Sequence, residues 1–177
     1  HGASIKYKYE LIKPAFLKNM FPGNGFILNA RLGYEWNSFM DGFGVNEEYS
    51  TFGANFSPHN TYRFTLNSMY HFTLNQPKRW VSSLGTQFGW LSNNEVDNFF
   101  HFFSGGLPGL KGYTFYNEDL TGSRQIIMTS ETRIPIFLEK NYAIAHLNIQ
   151  NMSVGMVAQA GGSFNNQFSE FIKESNY

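Results

Sequence analysis

The side chains of this chain that could do chemistry are its charged residues and histidines, and their pattern points to ion pairing in a wet cavity rather than to bond making. His1, His59, His71, His101 and His146 have none of the close spacings that let imidazoles share a metal, and His71 reads as a polar wall residue. Cysteine is absent, which removes disulfides, thiolate metal sites and thiol nucleophiles together. There is no Gly-x-Ser-x-Gly elbow, and Gly23-Asn24-Gly25 and Gly42-Phe43-Gly44 read as turns because neither continues into a phosphate loop. No cofactor and no metal is implied, and the expectation is a protein that is not an enzyme. Lys plus Arg and Asp plus Glu balance at 13 each, so there is no basic footprint for nucleic acid.

The charged residues fall on one side of a strict alternation. From Phe26 to Asn37, Phe26, Leu28, Ala30, Leu32, Tyr34 and Trp36 alternate with Asn29, Arg31, Gly33, Glu35 and Asn37, a period of two that defines a strand with one apolar and one polar face. Tyr62 to Asn75 repeats the pattern, with Arg63 and His71 on the polar side. Phe52, Ala54 and Phe56 share its parity across Pro58, so residues 50 to 75 read as one long strand, kinked or bulged near Pro58 and His59. Further strands are expected over 4 to 12, 79 to 92, 123 to 137, where Ile127 is out of pattern, and 152 to 161. The phase slips between Tyr142 and Asn151, where a bulge or irregular start is expected. Short turns at Gln76 to Lys78 and Glu139 to Asn141 alternate with long loops at 38 to 49, 93 to 122 and 162 onward. The expected fold is all-β and antiparallel, with about six strands in one domain over 1–177.

Alternation alone does not say whether the apolar face is a soluble core or a lipid-facing surface. Trp80 and Trp90 share parity ten residues apart. At about 3.3 Å per residue and a tilt near 40°, that span rises roughly 25 Å, the height of the apolar band of a membrane barrel. Trp36, Trp80 and Trp90 are therefore expected at membrane interfaces, although Ser82 and Thr86 lie between the last two. No run approaches the roughly 18 apolar residues of a spanning helix. Aromatic residues make up 18% of the chain, which suits a barrel with one greasy and one wet face.

The stretch Gly105-Gly106-Leu107-Pro108-Gly109-Leu110-Lys111-Gly112-Tyr113, then Gly122-Ser123-Arg124, then Glu131-Thr132-Arg133-Ile134-Pro135-Ile136, resembles the carboxy-terminal barrel of the BamA superfamily, also called bacterial surface antigens. In that family a long extracellular loop carries a Val/Leu-Arg-Gly-Tyr/Phe element that folds into the lumen, followed by a Glu-x-Arg-x-Pro-like strand and a later Asp-x-Gly-like element. Leu110, Lys111, Gly112 and Tyr113 match the loop tip, and Glu131, Arg133 and Pro135 match the strand. Val157, Ala158, Gln159, Ala160 and Gly161 fall where the later element belongs. Phe21-Pro22-Gly23-Asn24-Gly25 is similar to a turn common in these barrels. Two departures stand out: Lys111 replaces the family's Arg, and Gln159 replaces its Asp. Lysine lacks the planar fork of arginine, so the resemblance implies a simpler latch in which Lys111 reaches Glu131 inside the lumen. The Phe99, Phe100, Phe102 and Phe103 run then reads as packing beneath the folded-in loop.

The resemblance implies an antiparallel transmembrane β-barrel of about sixteen strands, of which this chain would supply about six, with other residues or chains completing the wall. It implies a bacterial outer-membrane location and a role in inserting or translocating proteins. Lipid, other envelope proteins and unfolded outer-membrane clients would be its partners. Two other readings stay open: a passive outer-membrane anchor or pore for an attached domain or larger envelope complex, and a soluble antiparallel sandwich that binds a ligand.

Overall fold

Strict alternation over long stretches favours extended chain, and ten strands form with no α-helix among the described residues. The structure, a computed structural model, describes residues 2–15, 21–46, 51–75, 78–94, 96–144 and 146–165. The strands are β1 (Gly2–Ile12), β2 (Gly25–Asn46), β3 (Thr51–Asn75), β4 (Trp80–Leu91), β5 (Phe102–Phe103), β6 (Thr121–Gly122), β7 (Arg124–Phe137), β8 (Tyr142–Ile144), β9 (Leu147–Ile149) and β10 (Met152–Phe164). Six of them form one antiparallel sheet in the order β1-β2-β3-β4-β7-β10, while β5-β6 and β8-β9 are small separate ribbons. The sheet is open, because its outer strands β1 and β10 do not pair with each other.

Register carries the alternation across the whole sheet. One row of partners reads Ile5, Leu32, Phe64, Trp90, Arg124 and Phe164, and the adjacent row reads Lys6, Arg31, Thr65, Gly89, Gln125 and Ser163. Rows of the first kind face one side, rows of the second kind the other. The apolar side is the uncovered one: Ile5 is 76% exposed and Met156 68%, and Leu32, Leu84, Met128 and Val154 are also exposed. Buried residues gather on the polar side instead. Val81, Leu91, Thr61, His71, Ser83 and Ser163 are buried there, as is Ile127, the residue out of step with the apolar parity, at 0% exposure.

The expected long strand at 50 to 75 is present as β3, but three expectations about its surroundings are corrected. Residues 38 to 46 are not loop: β2 runs on to Asn46, pairing Ser38 with Pro58 and Val45 with Phe52, while 47 to 49 lie outside the described residues. The bulge sits between Met40 and Gly42 on β2 rather than at Pro58. Pro58 needs no bulge, because Tyr62, four residues on, directs its N–H and C=O to Ser92 on the β4 side. Pro58 has the same parity, and β4 ends at the level of Arg63, so its missing N–H removes no ladder bond. The Glu139 to Asn141 turn belongs to a longer connection in which β8 and β9 pair with each other, accounting for the phase slip before β10. Long and short connections therefore do not segregate by end as expected. Of the other expected connections, Gln76 and the part of 162 onward beyond Asn165 lie outside the described residues, and β10 itself runs to Phe164.

At the end opposite the β4-β7 connection, Asn24 ties the first turn to the sheet. Its Oδ1 accepts from Thr73 N and Oγ1, each at 2.7 Å, its carbonyl accepts from Lys13 N at 3.0 Å, and Phe21 is buried beside it.

Gly161 closes the β7-β10 pairing opposite Ile127 with φ +136°, and a Cβ there would meet the Ile126 carbonyl oxygen. Gly161→Val is expected to cost roughly 1–3 kcal/mol, seen as a lower unfolding midpoint by tryptophan fluorescence. Gly155→Ala on the same strand, where a Cβ would stay 3.6 Å from the nearest atom, is expected to change the midpoint far less.

Candidate functional site: a segment docked on the polar wall

The β4-β7 connection turns back over the polar face and is held there by strand side chains of one parity. Arg63 is the first anchor. Its guanidinium donates to the Phe100 carbonyl at 2.6 Å, pairs with Glu35 at 3.3 Å and lies 5.1 Å from the centre of the Phe102 ring. The Phe102 ring in turn seats on Gly89, where any Cβ would come within 2.8 Å of it. A glycine in the middle of a strand here makes room for an aromatic ring.

Ser104 is the second anchor and is fully buried. Its hydroxyl bonds the Ser163 hydroxyl at 2.5 Å and accepts from Gln125 Nε2 at 2.9 Å, joining the segment to β10 and β7. The tip then closes on itself: Leu110 N donates to the Ser104 carbonyl at 2.6 Å and Gly106 N to the Tyr113 carbonyl at 3.1 Å. Gly106 and Gly112 take φ of +80° and +98°, conformations that favour glycine. Phe103, Phe115 and Tyr116 cluster on this fold with ring centres 4.9 to 5.5 Å apart, Phe103 stacked on Phe115 and Tyr116 edge-on to both.

Lys111 and Gln159 come together, but not as charge pairing predicts. Lys111 donates its backbone N–H to Gln159 Oε1 at 3.0 Å. The same side chain donates from Nε2 to the Gly109 carbonyl at 3.0 Å and to Thr129 Oγ1 at 3.1 Å. Glu131 is held by Arg133, two residues along the same face, with Nε to Oε1 at 2.7 Å. The expected Lys111 to Glu131 latch is thus replaced by an amide clamp, in which one neutral glutamine satisfies two backbone groups of the tip. An acid at 159 could accept from the Lys111 N–H but could not donate to Gly109. Gly112 and Tyr113 shape the tip through backbone geometry, and the Tyr113 side chain is exposed.

Sequence reasoning missed the clamp residues Arg63, Gln87, Ser104, Gln125 and Ser163. Gln87 donates weakly to the Pro108 carbonyl at 3.4 Å. The available signal was parity, since all the wall members share the polar face, together with Gly89 as a mark of close approach. Beyond the segment, a hollow of about 660 Å³ lies at the other end of the polar face, lined by residues that include Glu10, Lys13, His71 and Arg133. Strands from opposite parts of the sheet line it together, so the polar face is concave. His71 Nδ1 is bonded to Ser83 Oγ at 2.7 Å, which makes it a satisfied wall residue.

Trp36, Trp80 and Trp90 all leave the sheet on the apolar face. Trp36 packs with Tyr34, which packs with Tyr62, at centre distances of 5.6 and 4.9 Å, near the end that carries the docked segment, where Trp90 also lies. Trp80 is at the other end, with Lys78 5.5 Å from its ring. The Ser82 hydroxyl between the β4 tryptophans is satisfied within the sheet, donating to the Glu131 carbonyl at 3.2 Å and bonded to Thr132 Oγ1 at 3.0 Å.

Comparison of the chain with family models, with curated proteins and with solved structures found no match.

Two measurements follow from the clamp. Gln159→Ala removes three neutral hydrogen bonds; at about 0.5–1.5 kcal/mol each, tip opening should rise at least severalfold, read as faster limited proteolysis within residues 105 to 116. Glu131→Ala should leave that rate unchanged. The second concerns His101, which is buried with the Asn94 backbone, Asp97 and Arg63 around its ring. Burial holds its pKa below the ordinary 6.5, with Arg63 adding to the effect and the Asn94 backbone and Asp97 opposing it. A depressed base is neutral when docked and takes up protons more readily when released, so docking is full above the ordinary histidine range and weakens as pH falls through it. The protection of amide hydrogens over 97 to 104, measured as exchange relative to the intrinsic rate at each pH, should therefore fall as pH drops through the ordinary histidine range, and His101→Gln should flatten that dependence.

Proposed function

We propose that the chain is a wall portion of a bacterial outer-membrane β-barrel similar to the BamA superfamily, one that assists the insertion or translocation of proteins without covalent catalysis. The observation that carries this reading is the inverted distribution of polarity. Six strands expose an apolar face, and what little core exists gathers on the polar side, in part beneath a folded-in segment. A soluble sandwich places its second layer on the apolar face, where its burial contributes about 25 cal/mol per Å². Here the second layer sits on the other side, an arrangement suited to lipid as the apolar solvent. Aromatic residues at both ends of the apolar face fit interfacial girdles.

In this reading the six strands belong to a larger closed wall, since lipid does not tolerate the unpaired edges of an open sheet. Outer-membrane lipid covers the apolar face, and unfolded clients or other envelope proteins engage the wall. The clamp around Arg63, Ser104 and Gln159 gives specific support to a second reading, a passive anchor or pore, because a segment fixed at so many points suits a static plug.

Detergent dependence tests the membrane reading. The protein from its natural cells is expected in the alkali-washed membrane fraction and monodisperse only with detergent; a monodisperse form in plain buffer overturns it. Depleting the protein separates the two functions. Loss of other outer-membrane proteins from the envelope is expected for an assembly role, and an unchanged envelope proteome favours the anchor.

A further inference from the structure

The charged side chains that the structure describes on the six long strands leave the sheet on its polar face, Glu131 and Arg133 of β7 among them. Arg124 is the exception. It stands in the apolar row between Trp90 on β4 and Phe164 on β10, at the end of the sheet where Tyr34, Trp36 and Tyr62 cluster. Its Nε is buried without a hydrogen-bond partner. The four ion pairs among the described residues do not include it.

A guanidinium has five N–H donors in a rigid fork and no acceptor, and a buried donor left unmade costs about 1–3 kcal/mol. Arg124 as a whole is half-buried, so its enclosed Nε stays with the sheet while the rest of the fork can meet an acceptor that approaches over the apolar face. Resting on the membrane reading above, we infer that Arg124 is a lipid headgroup site, which takes the phosphate of an anionic phospholipid lying against the apolar face, with Trp90 and Phe164 packing along that lipid. Three features carry this choice. The charge is complementary to phosphate, and the fork matches two phosphate oxygens. The level is that of the aromatic cluster, where headgroups lie. The acyl chains continue down the row-on-row apolar surface below it, through Ile126 and Met128 of the same strand.

Native mass spectrometry of the detergent-solubilised protein tests the site, with phosphatidylglycerol as probe and a phosphate-free galactosyl diacylglycerol for comparison. Wild type is expected to bind one phosphatidylglycerol about tenfold more tightly than Arg124→Gln. Arg124→Lys, which keeps the charge but loses the fork, is expected to fall about threefold below wild type. Galactolipid binding is expected to be the same in all three. Equal phosphatidylglycerol affinity in wild type and Arg124→Gln overturns the site; should Arg124→Gln fail to fold, equality between wild type and Arg124→Lys does so. Flotation with phospholipid vesicles separates this result from the reading beneath it. Wild type that floats but shows no arginine dependence overturns the site alone, and wild type that stays in the aqueous fractions overturns both.

Discussion

Everything in this structure depends on register being kept across five successive strand pairings. Side chains on a strand alternate between faces, so a slip of one residue in any pairing would send half the sheet's polar residues to the wrong side. The register is unbroken wherever the docked segment touches the wall. The shifts fall outside that region, between Met40 and Gly42, between Thr73 and Asn75 and between Met152 and Ser153. Arg63, Gln87, Gln125 and Gln159, far apart in sequence, therefore meet one segment from one side. The clamp is a product of phase before it is a product of any single bond.

That phase also explains why the polar wall is stable while largely wet. Its charges pair locally, Glu35 with Arg63 and Glu131 with Arg133, and its neutral groups are used as connectors to the segment. Pairs of this kind, part-exposed, contribute little stability on their own. Their value is orientation. Arg63 is fixed by Glu35 on one side and so presents its remaining donors to Phe100 and its flat face to Phe102.

The sequence made the wall legible and the contacts on it much less so. Strand positions, the continuity of 51 to 75 through Pro58 and the polarity of each face follow from a period of two, which composition and spacing display directly. The extension of β2 past Asn37 was hidden because a bulge at Met40 to Gly42 breaks the period, and because glycines at 42 and 44 resemble loop. The partner of Lys111 was hidden for a different reason. Reasoning from residue types looks for charge meeting charge, whereas the contact uses the Lys111 main chain, and a backbone N–H leaves no mark in a sequence. Gln159, singled out because it stood where an acid was expected, meets the tip through a different chemistry: its amide both gives and receives. The small hairpin of β8 and β9 announced itself only as lost phase.

One further consequence belongs to Pro58. Beyond the levels where β1 and β4 stop, β2 and β3 continue alone as a two-stranded ribbon, and on the β4 side of β3 its backbone groups face no described strand. An unpaired edge of that kind is a template on which a stray extended chain can add, the first step toward intermolecular aggregation. Proline interrupts the template, because the position that should offer a donor to the incoming strand offers a ring instead. The residue that looks like a flaw in the longest strand thus works as its guard, leaving the internal ladder whole while denying the free edge a continuous run to copy.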